Sequence, residues 1–106
     1  MRAANFTWAL AQLLVMMNAR GNGPVVQYVF RSTEEQQRLF KKGLTKCDGV
    51  KKKSKHQLML AADIYLTKGE KILWEWDKAD AEYWHEEWER LGGRPMISWD
   101  CGHFEF

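Results

Sequence analysis

The sequence predicts an α+β fold in which two or three helices pack on one antiparallel sheet. Three observations lead there. Apolar residues recur at helical spacing in two stretches, 6–17 and 81–91. Elsewhere, short runs rich in β-branched and aromatic residues read as strands. Gly21, Gly43 and Gly92 stand where helices should stop.

In the first helix, Phe6, Leu10, Leu13 and Met17 share a face, while Gln12 and Asn18 interrupt the apolar run, which separates it from a signal peptide. Residues 24–30 read as a strand that delivers Arg31 at its end. Ser32 or Thr33 can cap a helix running through 34–40, with Gly43 as terminator. Residues 44–55, with Gly49 and a lysine run, read as an exposed loop leading to His56. A strand over 60–66, a turn at Lys68-Gly69 and a returning strand over 71–76 form a hairpin that carries Asp63. Asp77 can cap a second long helix to Leu91, with Ala81, Trp84, Trp88 and Leu91 on its inner face and Glu82, Glu86, Glu87 and Glu89 in water. Residues 96–106 read as two short strands around the corner Asp100-Cys101-Gly102, with His103 to Phe106 alternating across a sheet.

A chain of 106 residues with 45% hydrophobic and 28% charged residues is expected to form one domain, 1–106, around one core. A net charge of +2 is too balanced to indicate nucleic acid. No segment is long enough to span a membrane. Lys51, Lys52, Lys53 and Lys55 form the only basic run, read as a solvated loop or as an attractor of an anionic substrate such as cell-wall polymer. Cys47 and Cys101 match no paired pattern, so neither a disulfide framework nor a thiolate zinc knuckle is indicated, and a reducing compartment during folding is the simpler inference. His85 lacks the second histidine of a His-Glu-x-x-His helix and reads as a solvated residue, and the tryptophans read as core and cleft wall.

The chemistry concentrates in four residues of the second half. His56, Asp63 and His103 offer two imidazole nitrogens and one carboxylate, three ligands for a zinc ion with the fourth corner open to water. Asp100, three residues before His103, adds a free carboxylate able to take a proton from that water. A histidine before a strand and an aspartate within it can converge on one ion while His103 arrives from a neighbouring strand.

Ser54-x-His56 leading to Ala61-x-Asp63, then Asp100-x-x-His103-Phe104-Glu105, resembles the zinc D-alanyl-D-alanine carboxypeptidase and L-alanyl-D-glutamate endolysin family, the VanY-type enzymes of hedgehog/DD-peptidase fold. The resemblance extends to Phe30-Arg31-Ser32-x-Glu34-Glu35-Gln36 and to Leu91-Gly92-Gly93, and so covers nearly the whole chain. It implies a single catalytic peptidase domain with one zinc ion held by His56, Asp63 and His103, Asp100 as general base and Arg31 as the cation that holds the substrate carbonyl or its oxyanion. Arg31 could instead form a surface salt bridge to Glu34 or Glu35. Ser54 could hydrogen-bond around the ligand loop, and Glu105, on the same strand face as His103, could fix a ligand's tautomer. Met59 stands where the family usually has glycine.

The expected function is therefore hydrolysis of peptide bonds in peptidoglycan stem peptides, as an L-alanyl-D-glutamate endopeptidase or a D,D-carboxypeptidase. The resemblance also implies a phage or prophage-type lysis enzyme, monomeric and cytoplasmic until released to the cell wall. The alternative is a non-catalytic zinc-containing module on the same scaffold that binds peptide, glycan or a protein partner.

Overall fold

A computed structural model describes residues 1–106. The elements run α1 (Arg2–Ala19), β1 (Val25–Tyr28), α2 (Thr33–Lys41), β2 (Ala61–Lys68), β3 (Lys71–Leu73), α3 (Lys78–Arg90) and β4 (His103–Glu105). Three helices with a four-stranded antiparallel open sheet make the α+β architecture that the sequence predicts.

Local chemistry sets the helix boundaries. Ser32 accepts a hydrogen bond from the backbone N–H of Glu35 and Asp77 one from that of Asp80, so α2 and α3 begin on side-chain caps. All three helices end in one motif. The N–H groups of Gly21, Gly43 and Gly92 bond to Asn18, Phe40 and Glu89, and those of the following residues reach back to Met17, Leu39 and Trp88. The three glycines sit at φ +88°, +71° and +100°, where a side chain would strain the backbone.

β2 is the central strand. β1 lies along one edge of it, and β4 and β3 follow one another along the other. Alternation along β2 turns Ala62, Ile64 and Leu66 into the core, where Phe104 of β4 joins them. Phe6, Leu10, Leu13 and Met17 of α1 and Trp84 and Trp88 of α3 close that core. The opposite parity of β2 and β4 presents Asp63, His103 and Glu105 away from it, and the register pairs Asp63 directly with His103.

Three sequence expectations need adjustment. The returning strand ends at Leu73 rather than at residue 76, because Trp76 turns inward and donates its indole N–H to the Ile64 carbonyl at 3.1 Å. Only one strand, His103–Glu105, forms in residues 96–106. The stretch before it satisfies its backbone through successive turns, with the Asp100 N–H on Ile97 O and the His103 N–H on Asp100 O, both at 3.0 Å, leaving no ladder for a second strand. Finally, His85 is not solvated: it is 3% exposed, packed face to face on Phe104 with ring centroids 3.9 Å apart. The helix period puts residue 85 beside Trp84 and Trp88, and the buried ring of Phe104 supplies the surface that covers it.

Candidate metal centre

His56 enters the site on the turn before β2. Its backbone carbonyl accepts from the N–H groups of Arg31 and Met59, so the segment leaving β1 and the ligand turn are tied together. Its ring Nδ1 lies 3.0 Å from the Val29 carbonyl oxygen, which can only accept, so Nδ1 carries the proton. In the neutral ring Nε2 then holds a lone pair, and it points at Asp63 Oδ2 from 3.2 Å. His103 Nδ1 faces Asp63 Oδ1 at 3.3 Å while its Nε2 faces Glu105 Oε1 at 3.1 Å.

Neutral imidazoles cannot satisfy this arrangement. A lone pair beside a carboxylate oxygen is repulsive, so each ring needs a second proton or a cation between the nitrogen and Asp63. The donor atoms of His56, Asp63 and His103 lie within 4.8 Å of one another. Two nitrogens and an oxygen at that spacing, with one ring steadied by Val29 and the other by Glu105, fit a divalent ion of the zinc type. Without an ion, protons take its place. Burial disfavours the charged forms of Asp63 and His103, yet the hydrogen bonds and charges around them together outweigh it: both histidines lower the Asp63 carboxylate well below its usual range, and Asp63, with the charges of Asp100 and Glu105, raises the His103 imidazole.

The remaining predicted residues surround this cluster. Ser54, buried, accepts the Gln57 N–H at 3.2 Å and so shapes the turn that carries His56. Arg31 forms no bridge to Glu34 or Glu35; Glu35 is taken by Arg38 and by the Tyr28 hydroxyl. The Arg31 side chain, 9% exposed, lies over the Tyr28 ring, donates to Gln36 Oε1 at 2.9 Å and reaches Asp63 Oδ2 at 3.5 Å. Its Nε is buried without an acceptor. Asp100 lines the same open cleft of about 860 Å³ as the cluster. Partial burial, then the negative charge of Asp63, raise its pKa above the usual carboxylate value.

Two contributors, Gln36 and His85, were given no part in the site by the sequence. Gln36 is fully buried and satisfied, accepting from Arg31 and donating to Thr45 Oγ1 at 3.1 Å and the Cys47 carbonyl at 2.8 Å. Its position three residues before Leu39, on the inner side of α2, was the available signal. The other is His85, whose Nε2–H donates to the Cys101 carbonyl at 2.7 Å and pins the corner between Asp100 and His103. His85→Phe should keep the stack on Phe104 but strand that carbonyl, lowering unfolding free energy by about 1–3 kcal/mol in urea titrations. His85→Gln should recover part of the loss, and equal stability of His85→Phe and the parent would remove this role.

Met59 adopts φ +58°, the left-handed conformation that suits glycine. Its N–H closes the ligand turn on His56 O at 3.2 Å, so the turn keeps its course and the side chain, 52% exposed, bears the strain. Met59→Gly should therefore stabilise the fold, by up to about 1 kcal/mol after the entropy of glycine is subtracted, measured as a rise in melting temperature. A fall would mean that the methionine side chain contributes more than the strain costs.

Comparison with solved structures places this fold beside that of a D,D-pentapeptidase. One matching structure is the crystal structure of vancomycin resistance D,D-pentapeptidase VanY from a VanB-type resistance cassette, a glutamate-to-alanine variant in complex with Zn(II). The TM-score is 0.63 at 22% sequence identity, covering 95% of this chain and 70% of that chain. No family model matches the sequence, and no curated protein does. What the likeness establishes is the VanY-type α+β fold.

Proposed function

We propose that this chain is a zinc metallopeptidase that hydrolyses peptide bonds in peptidoglycan stem peptides. One observation carries the reading: two imidazoles of fixed tautomer direct their remaining nitrogens at a single carboxylate on the wall of an open cleft. The shared fold with a Zn(II)-bound D,D-pentapeptidase supports it.

His56 Nε2, His103 Nδ1 and a carboxylate oxygen of Asp63 would hold the ion. When bound, zinc acts as a Lewis acid and brings the pKa of water from roughly 15.7 to about 7. Asp100 takes a proton from the attacking water and hands it to the leaving amine; partial burial and the charge of Asp63 make its carboxylate more basic than usual, which favours that transfer. Arg31 brings a permanent charge, and a buried N–H without an acceptor, to the oxygen that becomes negative, an effect commonly worth about 3 to 4 kcal/mol. Glu105 holds the Nε2–H of His103 so that Nδ1 stays free for the ion. Ser54 maintains the His56 turn.

The bond cut is L-alanyl-D-glutamate or a terminal D-alanyl-D-alanine. We assign the activity to lysis of phage or prophage type, by a monomer that stays in the cytoplasm until release. The test is digestion of purified peptidoglycan with and without a chelator, followed by mass analysis. New glutamate amino termini would identify the endopeptidase and free D-alanine the carboxypeptidase. Digestion that continues unchanged in chelator would remove the metal mechanism.

A further inference from the structure

We propose that the cleft selects anionic peptides: a free carboxylate of the substrate, away from the bond being cut, is held by a wall formed by Lys46, Lys52, Lys53 and Lys55. The proposal rests on the peptidase reading and names the substrate class of that same site. All four lysines line the cavity that contains His56, Asp63 and His103. None of them lies within 4.0 Å of a carboxylate, since every ion pair of the chain involves other cations.

The cavity's own acids leave this charge unneutralised. With Arg31, five cationic side chains face three carboxylates, Asp63, Asp100 and Glu105. Asp63 is committed to both histidines and Arg31, and Glu105 to His103. Lys46 has only the Trp99 ring as partner, 5.5 Å away across the cleft mouth. Lys55 is half-buried beside the His56 turn and has no carboxylate partner within 4.0 Å. A half-buried ammonium without a carboxylate partner is a place where an incoming anion supplies the missing interaction.

The wall is also held in place. Asp48 Oδ1 accepts the N–H groups of Val50 and Lys52 at 2.9 and 3.0 Å. Gln57 clamps the loop from the other side, accepting the Ser54 N–H and donating to Gly49 O, both at 3.0 Å. The ammonium groups are therefore carried on a braced loop beside the His56 turn. Lysine, a compact hydrated charge, suits capture and steering of a carboxylate more than a rigid bidentate grip, so the effect belongs in substrate binding.

The experiment compares two stem peptides, one with all carboxylates free outside the scissile bond and one with them amidated. The zinc-loaded parent should favour the free acid by roughly tenfold in kcat/KM, through KM, and less so as salt is raised. Lys52→Gln/Lys53→Gln/Lys55→Gln should lose that preference by slowing on the free acid alone. Equal cleavage of both peptides by the parent, or a preference that survives the triple substitution, overturns the proposal and leaves the peptidase reading standing. Calorimetric binding of the same peptides to zinc-loaded Asp100→Asn provides the second arm. Tighter binding of the free acid without any cleavage by the parent upholds the anion wall and sinks the peptidase reading; no binding and no cleavage sinks both.

Discussion

Asp63→Asn is expected to weaken zinc binding by more than the roughly 10–100-fold that loss of an outer partner costs, and to abolish hydrolysis with it. Asp63 is the one residue that touches His56, His103 and Arg31 at once. An amide keeps the shape but brings no negative charge to two imidazoles, a guanidinium and a divalent ion. Competition against a chromophoric chelator measures the loss, and unchanged affinity would move the ion elsewhere.

The metal-free protein gives an independent readout. The lowered pKa of Asp63 contributes stability that is present above its ordinary value of 3.8 and lost as pH falls through the depressed folded value. The raised pKa of His103 contributes stability complete below 6.5 and lost as pH rises through its elevated folded value. Asp63→Asn removes the cause of both, so its unfolding midpoint should vary less with pH in both windows. Adding zinc to the parent should reverse the upper trend, because the ligating nitrogens must shed their protons.

Asp100→Asn should leave zinc bound and lower kcat by about 10²–10⁴-fold, the range for losing a positioned base. Partial burial and the charge of Asp63 raise the carboxyl of Asp100, so the parent's rate should begin to fall with decreasing pH above the ordinary carboxylate range. Measuring zinc occupancy at each pH separates that fall from protonation of the ligands. A module that only binds peptide would have no hydrolysis to lose. Full activity of Asp100→Asn would require a different base.

The two replacements test the proposed division of the cluster into residues that hold an ion and one that works beside it, and the sequence marked those residues unevenly. His56, Asp63, His103 and Asp100 stood out because an imidazole or carboxylate is chemically conspicuous and the motif spacing is short. Glu105 was readable for a similar reason: two residues from His103 on a strand means the same face. Gln36 was marked only by its place three residues before Leu39, and an amide in an otherwise polar helix gains its role when Arg31, Thr45 and Cys47 close around it. The same holds for His85, whose environment comes from Phe104 on a distant strand and the Cys101 carbonyl.

By itself the sequence determined the helices, their aspartate and serine caps, their glycine stops and the set of chemically competent side chains. These depend on residues a few positions apart, within reach of one turn of backbone or one pleat. Only the tertiary structure decided the pairing of Asp63 with His103, the tautomer that Val29 imposes on His56, and the cavity that brings the lysine loop to Asp63 and His103. Each of those is a contact between distant segments, set by strand register and core packing, which no local pattern encodes.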